Sequence, residues 1–212
     1  MTLPSTAPLP AAQAVRVLVI PGLHDSGPGH WQTWLQRQYA GAVRVIQHDW
    51  TDPHLDDWAD RIERTLARHP PQTEWIAVAH SFGCLALAHH LARRARAGTQ
   101  GQEGGIRAAL LAAPADPLKF GVANRLPTTG LGLPATLIGS ENDPWMPLDR
   151  ARGWAHQWGA RFVNLGQAGH INTESGHGPW PLARFHVDHM VRDRQRLKRL
   201  TRAHPLEFGY AV

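Results

Sequence analysis

Short apolar segments alternate along this chain with longer segments in which apolar residues recur at helical spacing. The short segments predict strands at residues 16–20, 43–47, 74–79, 106–112, 135–139 and 161–165. The longer segments predict helices at residues 31–39, 55–68, 82–96, 148–158 and from about 182 to 202. Residues 17–20, Val-Leu-Val-Ile, are apolar throughout, which is typical of a strand buried on both faces. The alternation predicts an α/β fold of three layers, α/β/α, with a mostly parallel, doubly wound sheet of about six strands.

The length of 212 residues fits one domain. We predict a flexible leader over residues 1–14, a single α/β domain over 15–191 and a basic helical extension over 192–212. The extension holds six basic and two acidic residues, so it carries +4 of the net charge of +5. The body of the protein is therefore nearly neutral, and we expect neither a nucleic-acid nor a membrane partner.

The composition also narrows the class of protein. Hydrophobic residues make up 42% and charged residues 18% of the chain, and no apolar run reaches the roughly 20 residues that cross a bilayer. The single cysteine, Cys84, excludes an internal disulfide and favours a reducing, cytoplasmic location. It lies beside leucines in a predicted helix, so we expect a buried thiol rather than a nucleophile.

Residues 75–87 contain the most informative motif in the chain. An apolar strand runs directly into Ser81, and an apolar helix follows it at once. This is the layout of a nucleophile elbow, a sharp strand-to-helix turn that exposes a serine hydroxyl at the edge of a sheet. The flanking residues are the small Ala79 and Gly83, as the close approach of the two backbones requires, although glycine is the usual residue at the first flank.

A serine nucleophile needs a general base, and that base needs a group that orients it. In hydrolases with a nucleophile elbow these follow in the order serine, acid, histidine, each after a strand. Asp143 follows the fifth predicted strand and His170 follows the sixth, so Ser81, Asp143 and His170 are the predicted catalytic residues. Glu141 in the same loop and Asp116 after the fourth strand are alternative acids, or turn residues that cap loop backbone.

The other histidines of the chain lack the position of His170, which follows a predicted strand and a glycine. Seven other histidines are expected to be surface or structural groups rather than the base: His24, His30, His89, His90, His177, His186 and His189. On the last helix, His186 and His189 are spaced i, i+3, but no third ligand accompanies them, so we predict no metal site.

The loop after the first strand is rich in glycine, which lets its backbone turn towards the nucleophile. We predict that the backbone amides of Leu23 and Phe82 form the oxyanion hole, and that His24, Phe120 and Trp145 contribute to the substrate pocket. A dinucleotide site with Asp49 as the ribose ligand is an alternative for this loop, but its glycine spacing does not match the G-x-G-x-x-G motif. We therefore predict no cofactor.

Five short motifs together carry a family resemblance over residues 17–189. They are Pro-Gly at 21–22 with Gly-His-Trp at 29–31, His-Ser-Phe-Gly at 80–83, Ala-Pro-Ala-Asp-Pro at 113–117, Ser-Glu-Asn-Asp-Pro at 140–144 and Gly-His-Ile-Asn at 169–172. The chain resembles the small serine hydrolases of the α/β-hydrolase superfamily that are related to the retinoblastoma-binding-protein hydrolase. The resemblance implies Ser81, Asp143 and His170 as the triad, a compact core without a large lid, and activity on carboxylic ester or amide bonds.

The sequence therefore predicts a serine hydrolase that cleaves carboxylic esters of a small substrate through an acyl-enzyme, with amides and thioesters as further candidate substrates. A shallow site that prefers short acyl groups follows from the short interval between residues 114 and 134, which leaves no room for a cap domain. The alternative is a non-catalytic binding protein on a hydrolase fold that contacts its partner through the basic tail.

Overall fold

The computed structural model describes residues 15–99 and 104–207, with side chains up to residue 200. The predicted leader, residues 1–14, and residues 208–212 of the predicted extension lie outside the described residues. The strands are β1 Val15–Ile20, β2 Val43–Arg44, β3 Glu74–Ser81, β4 Gly105–Pro114, β5 Ala135–Gly139 and β6 Arg161–Asn164. The α-helices are α1 Trp31–Arg37, α2 Leu55–Ala67, α3 Phe82–Arg96, α4 Leu148–Gln157 and α5 Pro181–Glu207.

The six strands form one parallel sheet in the order β2-β1-β3-β4-β5-β6. The predicted fold class is confirmed, and every predicted strand and helix is present. Strand β2 is shorter than the predicted 43–47. It lies at the edge of the sheet, and the chain leaves β1 after the N–H of Val45 donates to the carbonyl of Val19. Strand β3 is longer than predicted and includes Ser81 itself.

Helices cover both faces of the sheet, as the apolar strands require. In β1, Leu18 and Ile20 point into a core shared with α2, α3 and α4, whereas Val17 and Val19 point into a second core shared with α1 and α5. This alternation follows from the two-residue period of a strand. The chain thus forms three layers, with the sheet in the middle.

The C-terminal helix and the loop between β4 and β5 bear on the predicted domain organisation. Helix α5 runs without interruption across residue 192, so the described part of the basic tail continues the helix that packs on the sheet. Between β4 and β5, residues 115–134 contain one short 3-10 helix, Ala123–Arg125, and no cap domain. Within residues 15–99 and 104–207, no helix combines the length and the apolar character needed to span a bilayer.

Candidate active site

Ser81 lies at the junction of β3 and α3 with an unusual backbone conformation. Its φ of 53° and ψ of −127° lie outside the regions that side-chain-bearing residues ordinarily occupy. Such strain persists only where the surrounding structure holds it, and it is characteristic of the nucleophile elbow. The conformation ends the strand and starts the helix within one residue.

Two glycines allow the end of β1 to approach this turn. A Cβ atom on Gly83 would lie 2.3 Å from the carbonyl oxygen of Pro21, and a Cβ atom on Gly22 would lie 2.6 Å from the Cβ atom of Ser81. Both distances are shorter than any tolerated contact, so only glycine fits at either position. Ala79, the unusual flank, is completely buried in β3 and pairs with Ile20 of β1, so the sheet accommodates its methyl group.

A continuous chain of hydrogen bonds joins the three predicted catalytic side chains. The hydroxyl of Ser81 lies 2.9 Å from Nε2 of His170, and Nδ1 of His170 lies 2.9 Å and 3.0 Å from the two carboxylate oxygens of Asp143. The carboxylate also accepts the backbone N–H of Trp145 at 2.9 Å. Because a carboxylate accepts only, Nδ1 carries the proton and Nε2 is free to accept the Ser81 proton.

The loops that carry Asp143 and His170 are tied directly to each other. The Ser140 hydroxyl accepts the amide of Ala168 at 2.9 Å, and the Asn142 side chain accepts the amide of Gly169 at 2.7 Å. Gly169 has a φ of 57°, and a Cβ atom there would lie 2.6 Å from the Cβ atom of Ser175. The glycine before the histidine is therefore a structural requirement of this turn.

The two alternative acids are engaged elsewhere. The buried carboxylate of Asp116 pairs with Arg150 and accepts the amide of Leu118 at 3.1 Å. Glu141 is exposed and accepts the side-chain amide of Asn164 at 2.8 Å. Asp116 is thus a turn residue that caps loop backbone, and the geometry brings only Asp143 of the three against the imidazole of His170.

A cleft of about 340 Å³ opens above Ser81 and gathers the predicted pocket residues. Leu23, His24, Phe120 and Trp145 all line it together with Ser81 and His170, and Trp145 is 48% exposed at its rim. The sequence analysis missed seven further lining residues, and the last three of them come shortly after the predicted base: Asp25, Gly27, His30, His80, Asn172, Thr173 and Glu174.

The two predicted oxyanion-hole amides belong to segments that adjoin Ser81. Phe82 is the first residue of α3, where a backbone N–H has no acceptor within the helix. Its side chain is buried against Phe120, with ring centroids 5.1 Å apart. Leu23 follows Gly22, whose Cα faces the Ser81 side chain, and its amide has no acceptor among the hydrogen bonds of the described residues.

Two buried histidines lie in a row behind His170: His80 is next to it, and His30 is next to His80. The ring of His80 lies 4.9 Å from the ring of His170 and 4.9 Å from the ring of His30, measured between centroids. Burial, together with the nearby His170, lowers the pKa of His80 well below its usual value, so its imidazole is neutral. Its Nε2–H donates to the backbone carbonyl of His170 at 2.9 Å.

Several other histidines have structural partners outside the cleft. His89 is buried and bridges α2 to the 3-10 helix, since it contacts the carboxylate of Asp56 at 2.8 Å and the carbonyl of Arg125 at 3.0 Å. His189 is exposed and pairs with Asp193 on the same helix. In the part of the chain that the structure describes, no three histidine, cysteine or acidic side chains are grouped as metal ligands.

Comparisons with known proteins identify the family. The serine hydrolase family model matches residues 17–189. A YdeN-like hydrolase from Pectobacterium atrosepticum is 36% identical, with a TM-score of 0.76 over 85% of this chain and 92% of the other. The YdeN gene product of Bacillus subtilis is 18% identical, with a TM-score of 0.66 over 84% and 98% of the two chains.

A more distant structure shares the fold alone. The RedJ thioesterase from the prodiginine biosynthetic pathway of Streptomyces coelicolor is 16% identical, with a TM-score of 0.57 over 91% of this chain and 90% of the other. No protein among the curated sequences matches the chain. The family match covers most of the chain, including the elbow and both loops that follow β5 and β6. The chain therefore belongs to the serine hydrolase family and has the α/β-hydrolase fold.

Proposed function

We propose that this protein hydrolyses carboxylic esters of small molecules, with Ser81 as nucleophile, His170 as general base and acid, and Asp143 as the group that orients His170. One observation carries the proposal: the hydrogen-bonded chain from the Ser81 hydroxyl through His170 to Asp143 lies at an open cleft. Membership of the serine hydrolase family supports the reaction class.

In the first step, the Ser81 oxygen attacks the ester carbonyl while Nε2 of His170 takes the hydroxyl proton. The tetrahedral intermediate collapses, the bond to the alcohol breaks, and His170 gives its proton to the departing oxygen. In the second step, His170 takes a proton from water, the hydroxide attacks the acyl-enzyme, and the proton returns to Ser81 as the acid leaves. Asp143 keeps the Nδ1 proton in place and stabilises the imidazolium that forms twice in each cycle.

The negative charge on the carbonyl oxygen needs donors that are in place before the reaction. The amides of Leu23 and Phe82 are suited to this role, because both adjoin Ser81 and neither has an acceptor within its own element. Since both donors belong to the backbone, substitution of either side chain leaves them present. Their position depends instead on the glycines that bring the first loop against the elbow.

The cleft supports a small substrate. Phe120 and Trp145 provide an apolar wall, and Phe120 is fixed by its contact with Phe82. Lys119 lies over the Trp145 ring, 5.3 Å from its centroid, and holds this exposed side chain at the rim. His24 also lines the cleft and is exposed to solvent.

Active-site labelling tests the proposal. A fluorophosphonate should label the wild-type protein at Ser81 and should not label Ser81→Ala. The wild-type protein should also hydrolyse p-nitrophenyl acetate, and Ser81→Ala should not. Absence of labelling in the wild type, or equal labelling of the two proteins, would show that the site does not perform acyl transfer.

The basic tail gives little support to the alternative hypothesis, a non-catalytic binding protein that contacts its partner through this tail. Two of its cations, Arg194 and Lys198, are engaged with Glu74 at the start of β3, so they serve the fold. We therefore retain small esters as the substrates, with amides and thioesters as further candidates. Cys84 is buried and free, which agrees with the predicted cytoplasmic location.

A further inference from the structure

The cleft above Ser81 has two chemically different walls. Leu23 and Phe120 pack on the core shared with α2 and α3, so that wall is apolar. The other wall is polar and combines the end of the first loop with the segment after His170. The two segments are in contact, since Gly29 lies against Thr173 and the carbonyl of Gly29 lies against Gly178. The polar lining residues are His24, Asp25, His30, Asn172, Thr173 and Glu174.

His30 is the buried member of this polar wall, with an exposed fraction of 5%. It is the N-cap residue of α1, and its Nδ1 accepts the backbone N–H of Gln32 at 3.1 Å. An imidazole nitrogen that accepts an amide proton carries none of its own, so the other nitrogen, Nε2, bears the proton. Burial and the nearby Arg44 lower the pKa of His30 to about 4, which keeps the ring neutral near pH 7.

The Nε2–H group of His30 is a donor without an acceptor among the described residues. It makes no hydrogen bond to any described residue, and it is not enclosed like the buried, unpartnered Nε2 of His90. The ring packs edge-on against His80 and lines the same cleft as Ser81. This leaves a fixed, neutral donor that opens into the cleft, on the polar wall, close to the reacting groups.

From this geometry, and on the basis of the proposed ester hydrolysis, we infer that His30 is a substrate-binding residue whose Nε2–H donates to an oxygen of the substrate other than the two oxygens of the scissile ester. The substrate class is then an ester with an additional ether, hydroxyl or carbonyl oxygen near the reacting carbonyl. That oxygen belongs either to the acyl part or to the alcohol part, and the experiment separates the two.

The variant His30→Asn isolates the donor. The Asn side chain places its oxygen where Nδ1 stands and is a good helix N-cap, so it preserves the bond to Gln32. Its own amide N–H groups are on a shorter side chain and do not reach the position of Nε2. His30→Ser preserves the cap in the same way and serves as the second variant. His189→Asn is the matched control, because that histidine is exposed on α5 and pairs with Asp193. Fluorophosphonate titration of Ser81 gives the concentration of folded, active sites in every preparation.

Two pairs of substrates differ only by replacement of a methylene group with oxygen. On the acyl side these are p-nitrophenyl butyrate and p-nitrophenyl methoxyacetate, and on the alcohol side they are butyl acetate and 2-methoxyethyl acetate. Each variant is compared with wild type on the same substrate, so intrinsic reactivity cancels. In one pair we expect His30→Asn to lower kcat/KM for the oxygen-bearing member about 5- to 10-fold more than for the hydrocarbon member, the effect of one neutral hydrogen bond.

A differential loss in the acyl pair places the oxygen in the acyl part, and a differential loss in the alcohol pair places it in the alcohol part. Equal losses within both pairs, or no loss, would overturn the inference and leave His30 as a capping residue. If neither variant gives sites that can be titrated, the wild-type protein provides the test. In one pair, its ratio of kcat/KM for the oxygen-bearing ester to kcat/KM for the hydrocarbon ester must exceed the ratio of the hydroxide-catalysed rates of the same two esters. Failure of Ser81 labelling in wild type would instead refute the proposed function.

Discussion

The side chain of His80 holds the backbone of His170: its Nε2–H donates to the carbonyl oxygen of His170 at 2.9 Å. The residue immediately before the predicted nucleophile thus supports the predicted base, although the two are 90 positions apart. Because His80 is buried and its ring centroid also lies 4.9 Å from that of His170, it supports both the backbone and the ring of His170. We therefore expect the distance between the Ser81 hydroxyl and Nε2 of His170 to depend on the hydrogen bond from His80.

We expect His80→Phe to lower kcat about 10- to 100-fold with little change in KM, because His170 loses its backbone support and shifts relative to Ser81. His80→Gln keeps an N–H donor and should restore much of the activity. The measurement is steady-state hydrolysis of p-nitrophenyl acetate, normalised by fluorophosphonate titration. A Gln variant as impaired as the Phe variant would show that the hydrogen bond is not what matters.

Substitution of the orienting acid should impair chemistry with little effect on folding. Asp143→Asn keeps the shape of the side chain but stabilises the wrong tautomer of His170, so kcat should fall by about 10³- to 10⁴-fold. Asp116→Asn is the matched control, since this buried carboxylate pairs with Arg150 and makes no contact with His170. It should reduce the melting temperature and leave kcat per active site nearly unchanged; a comparable loss of kcat would reopen the choice of acid.

The two flanks of the elbow should respond differently to a change of one methyl group. In Gly83→Ala the new methyl group would lie 2.3 Å from the Pro21 carbonyl oxygen, so the strand and helix must separate and activity should be lost. Ala79→Gly removes a methyl group from a buried strand position and should cost only about 1 kcal/mol of stability while turnover persists. Thermal unfolding and esterase rates measure both effects, and an active Gly83→Ala protein would contradict the close approach described here.

A buried ion cluster links the start of β3 to the C-terminal helix. Burial alone would raise the pKa of the Glu74 carboxyl, but hydrogen bonds from Arg194 and Lys198 outweigh it and place the pKa below its usual value of 4.5. The ionised form therefore stabilises the fold above this pH, and the contribution is lost as the pH falls through the lower, folded-state value. Arg194→Ala should reduce the free energy of unfolding by about 1–3 kcal/mol at pH 7, and the deficit should shrink below pH 4.

The control for this cluster is Arg196→Ala, which removes an exposed cation of the same helix. It should leave stability unchanged when both variants are followed by urea unfolding across the pH range. Deletion of residues 192–212 should destabilise more than Arg194→Ala, because Lys198 is lost as well. Turnover per titrated site should persist in the deletion variant, and its loss would give the tail a part in catalysis.

The size and the apolar wall of the cleft predict a preference for short acyl chains. In a series of p-nitrophenyl esters, kcat/KM should be greatest between the acetate and the hexanoate and should fall for longer chains, since about 340 Å³ cannot enclose them. Phe120→Ala should shift the optimum to longer chains by enlarging that wall, whereas Phe185→Ala, an exposed residue of α5, should not. Activity confined to long-chain esters would contradict a shallow site.

Regular elements were readily predicted because their signals are local. The apolar periodicity gave α3 its observed bounds of 82–96, and it gave β5 its bounds of 135–139. It overestimated β2, because the chain leaves its single neighbour β1 after Arg44 and no local signal marks that point. It also gave no sign that His30 lines the cleft, because the burial of His30 depends on a segment about 145 residues later that folds against Gly29.

Local sequence signals are sufficient for the types of the elements, the elbow at Ser81 and the chain order of Ser81, Asp143 and His170, since each depends on neighbouring residues and on strand ends. Which acid meets the imidazole, and which histidine rings pack next to it, depends on the tertiary structure. Those contacts join residues up to 90 positions apart and depend on the strand order β3-β4-β5-β6, which hydrophobic periodicity does not encode. The packing of the sheet brings residues that are far apart along the chain to defined distances from one another.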